Sequence, residues 1–263
     1  MKAALIAGGV DASRIVDLAH DLPAHGVREA AFLLREMARA FPRTTVHVAV
    51  VDPGVGGRRA PIAIATRAGP ILVGPDNGVL MPLAEELGFR AAFRIDPPTG
   101  EAPVRVGTTF DGRDLFAPAA ARLVRGARLS ALGPAVSVTP FALPAPTRLS
   151  NGALGEVLHR DRFGNLITNV PTGWVAAGTR FLRLSCGRTR PRQVPWVTSY
   201  ESLGTGALGA LGSSFGLVEI AVGQGRATDR LGAGVGASVG FSWGPRLAPS
   251  GEKANSTRPR KQR

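Results

Sequence analysis

The spacing of hydrophobic positions in the first half of the chain changes between helical and strand-like. Residues 27–41, VREAAFLLREMARAF, place apolar side chains at helical intervals with charged side chains between them, which predicts an amphipathic helix. The β-branched run from Thr44 predicts a buried strand that ends at Asp52. We expect strands in PIAIAT, PILVGPDNG and RVGTTF, and helices in MPLAEELGF and from Pro118 to about Leu129. Strands alternating with helices favour an α/β domain with a mostly parallel sheet, at residues 1–135.

The pattern changes after Gly133. The segment that follows is rich in Pro and small residues and has no helical pattern, so we interpret residues 136–152 as a linker. From there on, GEVLHRDRFGNLITNV, TRFLRLS, GLVEIAV and ASVGFSW are β-like runs divided by glycine-rich turns. They predict an all-β domain, a barrel or a sandwich, at residues 153–243. The basic segment 244–263 has no apolar periodicity and is predicted to be disordered.

Composition narrows the class of protein. A chain of 263 residues that is 44% hydrophobic can form one large or two moderate domains. It has no run of about 18 apolar residues, so no membrane span is predicted. The single cysteine, Cys186, favours a reducing cytoplasm and is predicted to be a half-buried strand residue rather than a nucleophile. The net charge of +13 is mostly arginine spread along the chain, which makes nucleic acid an unlikely partner.

Polar residues stand where predicted strands end. In VVDPGVGGRR, Asp52 ends a strand, a glycine-rich turn lets a ligand approach the backbone, and Arg58 or Arg59 brings a positive charge to the same edge. A loop whose aspartate caps a helix fits that spacing equally well. Asn77, in VGPDNG, ends another strand. Asp111 opens the turn in TTFDGRD, at the kind of sheet edge where α/β proteins hold their chemistry.

The β domain has its own polar set. In DRFGNLITN, Asp161, Phe163 and Asn165 occupy alternate positions, which would place them on one face of a strand. An acid, an aromatic ring and an amide on one face suit a ligand with an ammonium group and a flat base; a solvated strand edge is the alternative. Tyr200, in SYESLG, adds a second aromatic ring. The four histidines have no metal-ligand spacing with a cysteine or carboxylate, so no metal site is predicted.

Six segments together resemble the S-adenosyl-L-methionine hydrolase (hydroxide adenosyltransferase) family, whose relatives include fluorinating and chlorinating enzymes. In order, they are IVDLAHDLPAHGVREAAFLL, VHVAVVDPGVGG, ILVGPDNGVL, TFDGRDLFAPAAA, GEVLHRDRFGNLITNV and SSFGLVEIAVGQG. The resemblance spans about residues 1–243 and implies an N-terminal α/β domain followed by a smaller β-barrel. It also implies a homotrimer, with each site between the α/β domain of one subunit and the barrel of its neighbour.

The activity implied is hydrolysis of S-adenosyl-L-methionine to adenosine and L-methionine, by in-line attack of water or hydroxide on the ribose 5′ carbon. S-adenosyl-L-methionine would be the substrate, with no cofactor. By this resemblance, Asp52 and Arg59 orient and activate the water. The family's histidine in TFHGRD is Asp111 here, and an ordinary aspartate, with a pKa of about 3.9, is a poor base. Asp111 either replaces the histidine as base or pairs with an arginine.

The resemblance also implies the substrate contacts. Asp161 would hold the methionine ammonium group, Asn165 would bond the adenine, and Tyr200 would stack on the purine. Ser214 would meet the methionine carboxylate, and the backbone around Val222 and Gln224 would read the adenine edge. The full predicted set of substrate-binding residues is Asn77, Phe110, Gly112, Asp161, Phe163, Asn165, Tyr200, Ser214, Glu219, Val222 and Gln224. Gly223 stands where the family usually has asparagine.

The N-terminus departs from the family pattern. Family members begin with a strand and a TTDFG-type turn whose aspartate binds the ribose, whereas MKAALIAGG corresponds to the helix that follows. Two hypotheses stay open: Met1 is an internal methionine of a longer chain, or the protein is a degenerate, non-catalytic binder of adenosine or S-adenosylmethionine. Halogenation is the weaker alternative, because the halogenating relatives lack the Asp–Arg pair.

Overall fold

Two β-sheets organise residues 1–97 and 109–244, the part of the chain described by the structure, a computed structural model. The helices are α1 (Lys2–Ala7), α2 (Val27–Ala38), α3 (Met81–Glu86), α4 (Ala117–Val124) and α5 (Ala227–Leu231). The strands of the first sheet are β1 (Val46–Val48), β2 (Pro61–Thr66), β3 (Ile71–Pro75), β4 (Phe89–Arg94) and β5 (Ala135–Val136). Those of the second are β6 (Thr147–Leu149), β7 (Gly152–Arg160), β8 (Leu166–Pro171), β9 (Phe181–Cys186), β10 (Arg192–Val197), β11 (Leu208–Gly212), β12 (Leu217–Val222) and β13 (Ser238–Ser242).

The first sheet has the strand order β1-β3-β2-β4-β5. Within it β1 and β3 run parallel, while the pairs β2–β3, β2–β4 and β4–β5 are antiparallel. The prediction of a mostly parallel sheet was therefore wrong, although the α/β class is confirmed. The reason is the connection from Thr66 to Ile71, which is a short hairpin loop. A parallel pair needs a crossover of about a dozen residues or more.

Helices cover both faces of this sheet. Ile62 and Ile64 of β2 face one way and pack with α2 and α3, whereas Ala63 between them faces α4. The amphipathic pattern at residues 27–41 is confirmed as α2, which ends at Ala38. The predicted strand from Thr44 to Asp52 is reduced to β1, followed by extended backbone that leads to Asp52.

Several other predicted boundaries shift. The predicted helix from Pro118 to Leu129 is α4, which is preceded by a π-helical turn at Gly112–Phe116 and ends before Gly126, where φ is +93°. Residues 105–108 of the predicted strand RVGTTF lie outside the described residues, and Thr109 and Phe110 are not in a strand. The basic segment is also outside them, apart from residue 244.

The second sheet closes into a barrel. Seven strands form the ring β13-β9-β10-β11-β12-β8-β7, which the β13–β7 pairing completes, and β6 adds to β7 outside it. The predicted barrel is confirmed. Two short strands, β5 and β6, overlap the segment interpreted as a linker, and β7 begins at Gly152. Cys186, in β9, is fully buried inside the barrel rather than half-buried, and burial raises the pKa of its thiol to about 11.

No helix within residues 1–97 and 109–244 combines the length and the apolar character needed to cross a membrane.

Candidate active site

An arginine between two aspartates is the centre of the polar cluster in the α/β domain. Nε of Arg59 donates to both carboxylate oxygens of Asp52, at 3.0 and 2.9 Å, and its Nη2 donates to Oδ2 of Asp111 at 2.5 Å and also to Asp52. The three side chains are 11%, 5% and 3% exposed. The structure thus brings together the three residues predicted to surround the water.

Local sequence explains how these groups meet. Arg59 folds back onto Asp52 across the turn DPGVGGRR, and the glycine at position 54 gives the two side chains room. A Cβ there would lie 3.2 Å from Cγ of Arg59 and 3.8 Å from Oδ1 of Asp52. Asp111 directly precedes the π-helical turn Gly112–Phe116, an irregularity that is frequent at functional sites.

The charge on Arg59 is stabilised by its neighbours. Burial opposes the charged guanidinium, but the hydrogen bonds to Asp52 and Asp111 outweigh burial and raise the pKa of Arg59. The guanidinium carbon also lies 5.6 Å from the centre of the Phe116 ring. Of the two interpretations of Asp111, the pairing with an arginine is therefore the one present in the structure.

Asn77, Phe110 and Gly112, three more residues of the predicted set, differ in their environments. Asn77 bonds backbone on both sides: its Nδ2 donates to the carbonyl of Val51 at 2.8 Å, and its Oδ1 accepts from the N–H of Val79 at 3.2 Å. It therefore supports the backbone next to Asp52, and a substrate contact stays a prediction. Phe110 is 50% exposed, with the Arg113 guanidinium 4.8 Å from its ring centre.

Gly112 is packed rather than open. A Cβ at Gly112 would lie 3.0 Å from Sδ of Met1 and 3.6 Å from Cγ1 of Val50. This glycine thus allows the π-helical turn to approach its neighbours closely; its predicted substrate contact stays a prediction.

In the barrel, a tyrosine and a glutamate form the second polar cluster. The hydroxyl of Tyr200 donates to Oε1 of Glu219 at 2.6 Å. Tyr200 is 52% exposed, so its ring is accessible, while Glu219 is 3% exposed. Burial raises the pKa of Glu219; the hydrogen bond from Tyr200 opposes this, and the charge of Asp161 adds to it. Burial and the bond to Glu219 raise the pKa of Tyr200.

The predicted strand face at residues 161–165 was wrong. These residues form the turn between β7 and β8, and Gly164 has a φ of +86°. Oδ1 of Asp161 accepts from the backbone N–H of Asn165 at 2.8 Å, and Oδ2 accepts from its Nδ2 at 2.9 Å. Phe163 is 69% exposed and Asn165 only 6%. The local side-chain bonds favour a turn over an extended strand here, and they fix the orientation of the Asp161 carboxylate.

The turn after β12 explains the glycine that departs from the family pattern. A Cβ at Gly223 would lie 2.2 Å from the carbonyl oxygen of Gly204, so a larger residue would displace backbone. Gln224, which follows, has a φ of +50° and is the only non-glycine residue with positive φ among those described. The N–H of Gly225 closes this turn on the carbonyl of Val222 at 3.1 Å.

Ser214 lies apart from that turn. It is exposed in the loop between β11 and β12, so the length of β12, about 17 Å, separates it from Val222. Glu219, which bonds Tyr200, is the third of the six residues of β12 and so lies between Ser214, before the strand, and the turn after Val222. The predicted substrate contacts are thus spread along β12.

The two clusters are separate within one chain. Among residues 1–97 and 109–244, no hydrogen bond or ion pair joins the cluster of Asp52, Arg59 and Asp111 to that of Tyr200 and Glu219. Sequence reasoning missed Glu29 and His159, which form a partly buried pair between α2 and β7. No local signal identifies them, since 130 residues separate the two in sequence.

The outer edge of β1 faces a cavity of about 540 Å³. It is lined by α1 and the segment after it, by β1 and by α4; among its residues are Met1, Leu5, Val46 and Leu123. The sheet edge at β1 has no further partner among the described strands.

Comparisons with known proteins cover both domains. The models for the SAM hydroxide adenosyltransferase N-terminal and C-terminal domains match residues 1–133 and 155–240. A Thermus thermophilus protein named (R)-S-adenosyl-L-methionine hydrolase is 40% identical over 249 residues, which are 90% of this chain and 91% of the relative. A Salinispora arenicola protein of the same name is 40% identical over 225 residues, 83% and 82% of the two chains. The crystal structure of an uncharacterized conserved protein from Thermotoga maritima has a TM-score of 0.82 and 31% identity over 92% of this chain and 93% of that one.

Proposed function

Because this chain belongs to the S-adenosylmethionine hydroxide adenosyltransferase family, as its motifs predicted, we propose that it is an enzyme that hydrolyses S-adenosyl-L-methionine to adenosine and L-methionine. The observation that carries the proposal is the buried arrangement of Arg59 between Asp52 and Asp111, with contacts of 2.5–3.0 Å. By analogy with the named relatives, the substrate is the (R) epimer at sulfur.

The proposed reaction requires a water positioned to attack the ribose 5′ carbon. The water oxygen forms a bond to the ribose 5′ carbon while the bond from that carbon to sulfur breaks, and its electron pair stays on sulfur. Methionine leaves as a neutral thioether, so no general acid is required. The water loses one proton, which a carboxylate of Asp52 or Asp111 accepts, and Arg59 stabilises the developing hydroxide. Correct positioning alone contributes roughly 7–11 kcal/mol in favourable cases.

The substrate pocket of the proposal lies between subunits of a homotrimer. Phe110 on the α/β domain, and Phe163 and Tyr200 on the barrel, are 50%, 69% and 52% exposed. Large aromatic rings exposed at two separate polar clusters suit surfaces that meet across an interface. We therefore propose that the cluster around Arg59 of one subunit faces the barrel cluster of its neighbour.

Mixed trimers test this arrangement. At substrate concentrations well below KM, subunits with Arg59→Met are almost inactive alone and subunits with Tyr200→Ala are weak, but mixing them by partial denaturation and refolding creates some sites with both intact surfaces. In that assay we expect the mixture to be more active than either variant alone, and the mass in analytical ultracentrifugation to be that of a trimer. A monomeric active protein, or no recovery in a trimer that has exchanged subunits, would contradict the arrangement.

Other expectations stay predictions. We propose that no cofactor or metal is needed, which is tested by activity after exhaustive treatment with a chelator. The division into residues 1–135 and 153–243 is tested by limited proteolysis between them. The cytoplasmic location rests only on the single cysteine.

Asp111 in the position of the family's histidine is the observation that favours a second candidate, a non-catalytic protein that binds adenosine or S-adenosylmethionine. The test is incubation with S-adenosylmethionine, with and without chloride, followed by separation of the nucleosides by chromatography and mass. Adenosine with equimolar methionine supports hydrolysis. Binding without any product supports the second candidate, and a chlorinated nucleoside that depends on chloride supports halogenation.

A further inference from the structure

Helix α2 holds the end of β7 through one buried carboxylate. Glu29 is 4% exposed, and its Oε1 contacts Nδ1 of His159 at 2.5 Å and accepts from the backbone N–H of Arg160 at 3.2 Å. His159 and Arg160 are the last two residues of β7. The carboxylate partner assigns the proton of the imidazole to Nδ1. Glu29 thus fixes two consecutive residues at the end of the strand.

The turn at residues 161–165 follows this contact directly in the chain. Asp161 follows Arg160, and its two carboxylate oxygens accept from the N–H and the Nδ2 of Asn165. The turn therefore fixes the Asp161 carboxylate from one side, and the end of β7 fixes its backbone from the other. A shift of β7 relative to α2 would move Asp161 with it.

The same face of α2 supports a second loop. The buried ring of Phe32 lies 6.4 Å from the ring of His159 and 5.6 Å, edge-on, from the ring of Phe215. Phe215 is the neighbour of Ser214 in the loop between β11 and β12. Glu29 and Phe32, one turn apart on α2, thus contact the end of β7, directly before Asp161, and the loop that holds Ser214.

We propose that Glu29 and His159 are positioning residues for the amino-acid half of the substrate. The inference rests on the proposed function in one respect, since it takes Asp161 as the partner of the ligand's ammonium group. Removal of the Glu29 acceptor leaves Nδ1–H of His159 and N–H of Arg160 without their partner, and the end of β7 must move to find another. A displaced Asp161 makes a weaker charge-assisted hydrogen bond to the ammonium group.

Two ligands distinguish a positioning role of Glu29 from a general effect of its substitution on protein stability. S-adenosylhomocysteine carries the same amino-acid group as the substrate but no sulfonium, so it is not hydrolysed; adenosine lacks the amino-acid group. Calorimetric titration of both is compared in wild type, Glu29→Leu and Glu29→Gln, where Gln keeps the acceptor oxygen. Arg28→Leu is the matched control, because Arg28 pairs with Glu156 at the same α2–β7 contact without touching the end of β7.

We expect Glu29→Leu to raise the Kd of S-adenosylhomocysteine about tenfold and that of adenosine less than about twofold. Glu29→Gln and Arg28→Leu should stay near wild type for both ligands. If Glu29→Leu does not fold, His159→Leu serves instead, with His159→Asn as the rescue that keeps a donor at the position of Nδ1.

Equal weakening of both ligands in the Leu variants, or a folded Leu variant that binds both like wild type, would overturn the inference. So would a wild-type protein that binds neither ligand. Failure of the proposed function is a different result: wild type binds both ligands and discriminates as expected but releases no adenosine from S-adenosylmethionine.

Discussion

The two polar clusters are built in opposite ways. In the α/β domain, Asp52, Arg59 and Asp111 satisfy one another as buried charges. In the barrel, the ring of Tyr200 is exposed and only the Glu219 carboxyl beneath it is buried. Under the proposed function, the first arrangement fixes charges beside the attacking water, and the second offers an aromatic surface on which the adenine stacks. Changes in the first should therefore lower kcat, and changes in the second should raise KM.

Arg59→Met should have the largest effect among the substitutions that test this difference between the two clusters. It leaves two buried carboxylates without their shared cation and removes the group that stabilises hydroxide, so we expect kcat to fall about 10³-fold with KM changed only slightly. Steady-state assay of adenosine release measures both values. Arg58→Met is the control, because Arg58 is exposed in the same turn. Equal losses in the two variants would contradict the assignment.

Tyr200→Ala tests the cluster in the barrel. Loss of a stacking ring should raise KM about tenfold with little change in kcat. Tyr200→Phe keeps the ring and removes only the bond to Glu219, so it should stay within about threefold of wild type. A fall in kcat with an unchanged KM in Tyr200→Ala would place this residue with the catalytic cluster instead.

Asp111→His tests the role of Asp111, which stands where the family has a histidine. A neutral imidazole accepts a proton better than a paired aspartate, so we expect kcat at pH 8 to rise by about two- to fivefold. The rate should then fall as pH drops below about 6.5, where the imidazole is protonated. Asp114→His, in the same turn, is the control. No gain at pH 8 would mean that Asp111 already serves fully as the base.

The smallest effect concerns the pH dependence of stability in the barrel. Because the pKa of Glu219 is raised by burial, the native state binds its proton more tightly than the unfolded chain does. The stabilisation from this proton is complete below the ordinary value of 4.5 and is lost as pH rises through the raised pKa.

Glu219→Gln removes that titration. Between pH 5 and pH 8, the Tm of wild type should fall by about 2–4 °C more than that of Glu219→Gln. Thermal unfolding followed by circular dichroism measures this, with the exposed Glu201→Gln as a control. Parallel curves for wild type and Glu219→Gln would contradict the raised pKa.

The sequence predicted the contacts among Asp52, Arg59 and Asp111 better than the conformation of residues 161–165, for a physical reason. Asp52 and Arg59 stand seven residues apart in one glycine turn, so their meeting is a local property. The turn at residues 161–165 resembles a strand in its alternation, but the bonds between Asp161 and Asn165 and the positive φ of Gly164 override that pattern.

Two further features were not predicted from the sequence. The antiparallel β2–β3 hairpin is local and follows from its loop of four residues, but the alternation of helices and strands along the chain favoured a parallel sheet. The pair of Glu29 and His159 depends on how α2 packs on β7, and nothing in either segment alone indicates it.

The most direct test of the central claim follows the oxygen. Wild type and Arg59→Met are incubated with S-adenosylmethionine in water enriched in oxygen-18, and the adenosine is analysed by mass spectrometry. The account predicts adenosine that carries one oxygen-18 at its 5′ hydroxyl, with equimolar methionine, and almost none from Arg59→Met. Absence of labelled adenosine from a folded wild-type protein that binds the substrate would contradict it.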